Sequence, residues 1–126
     1  MIGRPRLVAV IGLTTAAGVV AAGRVRRVEV SGPSMRPTLH AGDRLVVVRD
    51  RMPRPGELAA VVDPRNPRRV IVKRVVALRG THLVLRGDNA DASVDSRHFG
   101  PVDRRALRGR VVYRYFPPQR RGKLRV

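Results

Sequence analysis

Short runs rich in valine, separated by proline, glycine, aspartate and asparagine, fill the chain from Val28 onward and limit what it can fold into. β-Branched residues favour strands, and proline and glycine end them. The prolines of residues 51–56 and 63–69 cannot donate to a strand ladder, so both segments are predicted turns. The pattern predicts an antiparallel, mostly β domain whose strands lie at residues 28–30, 45–48, 58–62, 70–78, 83–85 and 109–116.

A run without charged side chains, residues 7–23, precedes this β region. As a helix it would be about 25 Å long, which is at the short end of what crosses a bilayer. Arginines flank it on both sides, and a basic start such as 24–27 is unusual for a secreted product. We therefore interpret residues 1–27 as a single-pass membrane anchor helix with basic flanks. The core of a cleaved signal peptide and a soluble apolar helix are the alternatives. The basic flanks leave open on which side of the membrane the β domain lies.

The charge of the chain is strongly positive, with 27 Lys and Arg against 9 Asp and Glu and a net charge of +18. Such a charge is typical of proteins that bind nucleic acid, anionic lipid or an acidic partner. Aromatic residues make up only 3% of the chain, so stacking on bases is a poor prospect and no nucleic-acid partner is expected. A non-enzymatic basic module that binds nucleic acid or membrane remains an alternative. The absence of cysteine excludes disulfides, thiolate metal sites and thiol catalysis.

The segment 31–39 (SGPSMRPTL) is not explained by packing. Gly32 and Pro33 favour a turn, and Pro37 restricts the residue before it to extended geometry. A hydroxyl on such a stiff turn can be aimed at a target, so Ser34 is a candidate nucleophile. The alternative is a serine- and proline-rich loop without catalytic function.

Two adjacent cations, Lys73 and Arg74, interrupt the longest apolar run, 70–76. Neighbouring strand residues face opposite ways, so one of the two is expected to face the core. Almost every cation of this chain is arginine, and the only lysines are Lys73 and Lys123. Arginine keeps its proton at useful pH, whereas a desolvated lysine loses it, so Lys73 is a candidate general base. The alternative is a lysine that extends to solvent.

The segment 86–100 is dense in groups that bond to nearby backbone. Ser93 is a candidate to orient an amine, and Asp95 and Arg97 can pair with each other or with Arg74. A surface loop is the alternative, including one that holds calcium through Asp88, Asn89, Asp91 and Asp95. That spacing does not match the twelve-residue EF-hand loop, and we expect neither a metal nor a cofactor. His40, His82 and His98 are expected to lie at the surface or in loops.

Together and in order, these stretches resemble the type I signal peptidases, which are serine proteases with a Ser-Lys dyad. Residues 32–39 with Gly42 and Asp43 resemble the nucleophile motif of that family, and 72–76 resemble its lysine motif. Residues 87–89 together with Ser93, 95–97 and Gly100 resemble its last motif. The resemblance covers residues 28–115. It implies a small, barrel-like antiparallel β-sheet as catalytic domain at 28–116, followed by a basic C-terminal tail at 117–126.

The resemblance also implies roles for single residues. Ser34 would attack the scissile carbonyl, and neutral Lys73 would take its proton. Ser93 would hold the lysine, while Arg74, Asp95 and Arg97 would brace the site. The Ser34 amide would supply part of the oxyanion hole, and Gly32 stands where some relatives carry a hydroxyl, so the second donor stays open. Met35 would line the substrate pocket.

The implied activity is removal of an N-terminal presequence or propeptide from a partner protein. Because the chain is short and has the Gly-Pro-Ser-Met form of the motif, it looks most like the short branch that matures nickel-type superoxide dismutase. A general signal peptidase that cleaves exported preproteins is an alternative. A self-cleaving repressor or mutagenesis factor shares the chemistry and the fold, but would need a DNA-binding domain or a self-cleavage site.

Overall fold

A computed structural model of the protein describes residues 24–124. They form one short helix, α1 (Ser96–Phe99), and eight strands, which are β1 (Val25–Glu29), β2 (Arg44–Val48), β3 (Leu58–Asp63), β4 (Asn66–Arg79), β5 (His82–Arg86), β6 (Val102–Asp103), β7 (Leu107–Phe116) and β8 (Gly122–Lys123). Single 3-10 turns lie at Ala90–Ala92, Arg104–Ala106 and Pro118–Arg120. None of the helices in this part of the chain is long and apolar enough to span a bilayer. The predicted anchor comprises residues 1–27, and its apolar run 7–23 lies outside the described residues. β1 begins at Val25, within the basic flank assigned to that anchor.

All eight strands belong to one antiparallel sheet with the order β1-β2-β7-β3-β4-β5-β6, and β8 pairs with β7. The mostly β, antiparallel prediction is confirmed, but the expected barrel-like closure is wrong. A barrel requires its two end strands to pair with each other, and within residues 24–124 β1 pairs only with β2 and β6 only with β5. The end strands are poorly suited to closure, because β6 has two residues and β1 exposes Arg26 and Arg27.

The six predicted strands are present with shifted ends, while β6 and β8 were missed because two residues show no alternation. The predicted turn at 63–69 is wrong in extent, since β4 begins at Asn66. Asp63 pairs with Asn66 and Val62 with Val70, so the register shifts there and residues 67–69 bulge out of the ladder. Pro67 is tolerated because no ladder bond is required of it in this bulge.

The central strands bury both of their faces. On β3, Leu58 and Ala60 pack into one apolar cluster, whereas Ala59 and Val61 pack into a second. The alternation follows from the two-residue period of a strand. A side chain on β4 can therefore be buried on either side of the sheet, and this makes room for a buried polar group.

The chain after Phe116 returns to the sheet. β8 pairs with β7, and Leu124 packs against the first cluster. Arg114 and Arg120 both donate to Asp43, a fully buried carboxylate just before β2. Arg114 also donates to the backbone oxygen of Thr38 at 3.0 Å. The returning segment thereby holds the connection between β1 and β2, which carries the candidate nucleophile.

Candidate active site

Ser34 lies on the connection between β1 and β2, residues 30–43, which we call the Ser34 loop. At its base the Val30 amide donates to Asp43 O at 2.8 Å, and the Gly42 amide donates to Val30 O at 2.9 Å. Met35 and Leu39, at 1% and 0% exposure, anchor the loop in the first apolar cluster. With its neighbour buried and its base closed, the half-buried Ser34 is held in one place.

Lys73 is 4% exposed and lies in the middle of β4. It shares a strand face with Ile71 and Val75 of the second apolar cluster. Ala59 stands opposite on β3, and its small side chain leaves space for the lysine stem. Arg74, whose side chain is 20% exposed, points to the other face. The prediction that one of the two adjacent cations lies in the core is confirmed.

The environment of Lys73 favours the neutral amine. Burial lowers the pKa of Lys73 below its ordinary value, and the charges of Arg65 and Arg69 lower it further. The carboxylate of Asp95 acts in the opposite direction and raises this pKa, but burial dominates. A lysine whose pKa is lowered in this way can accept a proton near neutral pH.

Ser93 connects Lys73 to Asp95. The Ser93 hydroxyl donates to Asp95 Oδ2 at 2.8 Å, and Lys73 Nζ donates to Ser93 Oγ at 3.2 Å. All three side chains are buried. Because the hydroxyl proton is committed to Asp95, Ser93 can only accept from the amine. The amine is thereby oriented by a neutral partner and not by direct contact with a carboxylate.

Asp95 remains ionised although it is fully buried. Burial opposes ionisation, but hydrogen bonds from Arg97, the Gly87 amide and Ser93 outweigh it and hold the pKa of Asp95 well below its usual range. Arg97 binds both carboxylate oxygens, with Nε to Oδ1 at 2.9 Å and Nη2 to Oδ2 at 3.0 Å. Asp95 also caps α1 by accepting from the Arg97 amide. Of the two pairings that the sequence left open, the structure shows Asp95 with Arg97.

Arg74 lies in a separate ion pair. Its Nε and Nη2 bind Asp88 at 3.0 and 2.6 Å, and its Nη1 donates to Gly56 O at 2.7 Å. Asp88 also accepts from the hydroxyl of Thr38 in the Ser34 loop. The Arg74–Asp88 pair therefore connects β4 to the far end of the Ser34 loop.

Gly87 and Asn89 join the last motif directly to the nucleophile segment. A Cβ atom at Gly87 would lie 2.5 Å from Ser93 Cβ and 2.6 Å from Ser34 O, so no side chain fits there. The Asn89 amide donates to Ser34 O at 2.9 Å, and its Nδ2 donates to Pro33 O at 3.1 Å. Sequence reasoning assigned 87–89 to the last motif but did not predict their contact with the Ser34 loop, since a local pattern does not show which distant segment approaches a glycine.

Ser34 and Lys73 line the same cavity, which has a volume of about 160 Å³. Gly32 and Met35 of the predicted site also line it, and Ser93, Asp95 and Arg97 lie behind Lys73. The structure adds Arg65 and Arg69, which no sequence motif marked. A half-buried nucleophile candidate and a buried amine whose pKa is lowered lie in one cavity, and this arrangement is suited to acyl transfer.

The acidic residues of the alternative calcium site do not converge in this part of the chain, and neither do the three histidines. Among residues 24–124 there is no group of three or more His, Asp or Glu side chains placed to hold a metal ion. Asp88 and Asp95 instead bind different arginines. His98 caps α1, His82 faces Asp103 at 3.7 Å, and His40 is half-buried in the Ser34 loop.

Comparison with known proteins gives consistent matches. The family described as signal peptidase, peptidase S26, matches residues 4–88 and 81–116. The mitochondrial ATP-independent inner membrane protease subunit 1a of Arabidopsis thaliana is 32% identical over 123 residues, covering 76% of this chain and 73% of that protein. The human mitochondrial inner membrane protease subunit 1 is 31% identical over 121 residues, with 75% and 72% covered. Subunit 2 of Mus musculus is 32% identical over 117 residues, with 72% and 67% covered.

These relatives correct one expectation and support another. The finer likeness to the nickel-type superoxide dismutase maturation branch is not supported, because the similar proteins found are inner membrane protease subunits. The short length of the chain and the Gly-Pro-Ser-Met form of its motif were too weak as evidence to distinguish one branch of the family from another. The family resemblance rested on three motifs in order, and the chain belongs to the S26 signal peptidase family.

Proposed function

We propose that this protein is a membrane-associated endopeptidase of the signal peptidase type that removes N-terminal presequences from partner proteins by Ser-Lys catalysis. The observation that carries the proposal is Lys73, a buried amine held by Ser93 in the cavity that it shares with Ser34. Burying a lysine so that its amine loses its charge costs folding free energy. The presence of such a lysine in one cavity with a serine hydroxyl is therefore best explained by a catalytic role.

The proposed reaction moves one proton through Lys73. Ser34 Oγ attacks the scissile carbonyl carbon while its proton passes to Nζ of neutral Lys73. The tetrahedral intermediate then collapses, the ammonium gives the proton to the leaving amine, and an acyl ester remains on Ser34. Water attacks that ester, its proton passes to Lys73, and collapse returns the proton to Ser34 Oγ. The Ser34 amide stabilises the oxyanion, where one donor is worth about 3 to 4 kcal/mol.

The free edge of β4 supports an extended peptide substrate. Within the described chain, β3 pairs with one edge of residues 70–73, whereas the other edge has no strand partner, because β5 pairs with β4 only from Arg74 onward. An unpaired strand edge accepts a peptide by main-chain hydrogen bonds. This edge ends at Lys73, so a peptide added there would present its backbone to the dyad.

The proposed membrane location is supported by the named relatives and by the position of β1. The relatives are inner membrane proteases by name. The first strand begins at Val25, directly after the apolar run 7–23 of the predicted anchor, and the cavity lining begins at Glu29. A strand of five residues is about 17 Å long, so an anchor in the bilayer would keep the cavity close to the membrane surface.

The test uses the full chain in lipid vesicles with a preprotein that carries a presequence. We expect one new N-terminus by mass spectrometry, no cleavage by Ser34→Ala and none by Lys73→Arg, since arginine keeps the charge but cannot act as base. The matched control is Lys123→Arg, which changes the other lysine, exposed on β8, and should leave cleavage intact. Circular dichroism would establish that the variants fold.

Three outcomes would count against the proposal. Cleavage by folded Ser34→Ala would exclude Ser34 as nucleophile, and full rate with Lys73→Arg would make Lys73 structural. Steeply salt-dependent nucleic-acid binding without any proteolysis would favour the basic binding module instead.

A further inference from the structure

Two arginines extend the cavity beyond the dyad. Arg65 lies in the turn between β3 and β4, and Arg69 lies near the start of β4. Both line the same cavity as Ser34 and Lys73. Arg69 lies in the bulge at the start of β4, four residues before Lys73, and both residues line the cavity. Four residues of strand span at most about 13 Å, and a bulge shortens this distance. Arg69 thus lies beside the path of a peptide added to the free edge of β4, about four residues from the reacting bond.

The charge of Arg65 is already compensated within the protein. Asp63, 2% exposed, accepts from Arg65 Nε at 3.0 Å, from Nη2 at 3.0 Å and from the Arg65 amide at 2.9 Å. The nearest atom of Arg69 to this carboxylate is Nε at 4.0 Å, which is too long for a hydrogen bond. The Arg69 side chain is 49% exposed, so its guanidinium retains donors for a ligand.

Glu29 is the only acidic residue among the described residues that line the cavity, and it does not neutralise Arg69. Glu29 lies opposite Arg44 across the β1–β2 ladder, and the two side chains pair at 3.6 Å. The part of the cavity around Arg69 therefore has an uncompensated positive charge. A planar guanidinium with available donors favours a carboxylate, which it can bind with two parallel hydrogen bonds.

We propose that Arg69 is a specificity-determining residue that selects substrates with an aspartate or glutamate three to five residues from the cleaved bond. The inference rests on the proposed peptidase function and adds a substrate class to it. Because the Arg69 side chain is partly exposed, its ion pair with a substrate carboxylate would contribute no more than a surface ion pair. We therefore expect acidic substrates to be preferred by about fivefold in kcat/KM, and not to be absolutely required.

The test compares peptides that differ at one position. A cleaved presequence peptide is prepared with Asp, Asn or Lys at each position up to six residues on either side of the bond, and kcat/KM is measured for each with the full chain. We expect Asp over Lys by about fivefold at one position three to five residues away. Arg69→Glu should reverse the order at that position.

The matched control is Arg68→Glu, an exposed arginine next in the chain that does not line the cavity. It makes the same change of net charge and should keep the wild-type order. Each preference is the ratio of two kcat/KM values measured with the same variant. Any change in the reactivity of Lys73 affects both values equally and cancels in the ratio.

The outcomes separate this inference from the proposed function. Cleavage of all peptides at equal rates, or an identical shift with Arg68→Glu and Arg69→Glu, overturns the role of Arg69 and leaves the peptidase proposal standing. Absence of cleavage of every peptide by the folded wild-type chain overturns both.

Discussion

At the scale of single residues, Gly87 shows how little space separates the parts of the site. Its missing side chain allows Ser93 and the Ser34 carbonyl to approach the same point. Any Cβ atom there would push Ser93, which holds Lys73, away from Ser34, the proposed nucleophile. Gly87 is thus required by the closeness of two other residues and not by its own backbone angles.

We expect Gly87→Ala to lower the free energy of unfolding by about 1 to 3 kcal/mol through overpacking and to lower kcat more than this loss explains. Gly80→Ala, at the tip of the β4–β5 hairpin, is the matched control. Gly80 has φ of +59° and open space around it, so alanine costs stability through backbone strain but should leave kcat unchanged. Chemical denaturation and presequence cleavage measure the two effects. Equal kcat in both variants would contradict the assigned contact.

The titration of Lys73 gives a second prediction at this scale. If neutral Lys73 is the base, kcat/KM rises with pH until Lys73 is deprotonated. Arg69 lowers the pKa of Lys73, so Arg69→Gln should raise this pKa and move the acid limb of the pH profile to higher pH. Arg68→Gln should leave the limb in place. A limb that moves to lower pH in Arg69→Gln would contradict this electrostatic coupling.

At the scale of elements, the Ser34 loop is fixed by a buried carboxylate and two arginines from later in the chain. Burial opposes ionisation of Asp43, but bonds from the His40 amide, Arg120 and Arg114 outweigh it and lower its pKa. The loop therefore depends on β7 and on the returning segment, and not on its own sequence alone.

Asp43→Ala should cost about 3 kcal/mol of unfolding free energy, because it removes a buried carboxylate and leaves the partly buried guanidinium groups of Arg114 and Arg120 without their partner. Asp50→Ala is the matched control, since Asp50 also pairs with an arginine, Arg110, but its side chain is 41% exposed. That pair should contribute about 1 kcal/mol or less. Urea denaturation compares the two variants, and equal losses would show that Asp43 does not hold the loop.

Strands with several alternating apolar residues were predictable, and the contacts between distant segments were not. Ser34 and Lys73 could be singled out because each breaks a local pattern, one as a hydroxyl on a stiff turn and one as a lysine in an apolar strand. The pairing of Arg74 with Asp88, and not with Asp95, depends on how β4 meets β5, which no local pattern encodes. The lack of pairing between the two end strands and the pairing of β8 with β7 also depend on contacts between segments far apart in the chain, which no local pattern encodes.

At the scale of the whole molecule, a strongly basic chain places its few acids where arginines surround them. Asp43, Asp63 and Asp95 are buried, and in each case hydrogen bonds and charges from arginine outweigh burial and lower the pKa. These three carboxylates connect the Ser34 loop, the β3–β4 hairpin and the segment around Ser93 to the rest of the fold.

This arrangement predicts an acid-sensitive fold. A carboxyl whose pKa is lower in the folded than in the unfolded chain stabilises the fold above its unfolded pKa of 3.8, and this contribution is lost as pH falls through the folded value. The urea midpoint should therefore be flat near pH 5 to 6 and fall steeply below about pH 4. Asp63→Asn should be less stable at pH 6 and show a shallower fall. A midpoint independent of pH down to about 2 would contradict the prediction.

The position of Arg120 also has a consequence for the order in which the site is assembled. Asp43 precedes β2, whereas its partner Arg120 follows β7, 77 residues later in the chain. During synthesis, the contacts that fix the Ser34 loop can form only after β7 and the segment behind it have left the ribosome. The loop that carries Ser34 is therefore fixed only after strands β2 to β7 have been made.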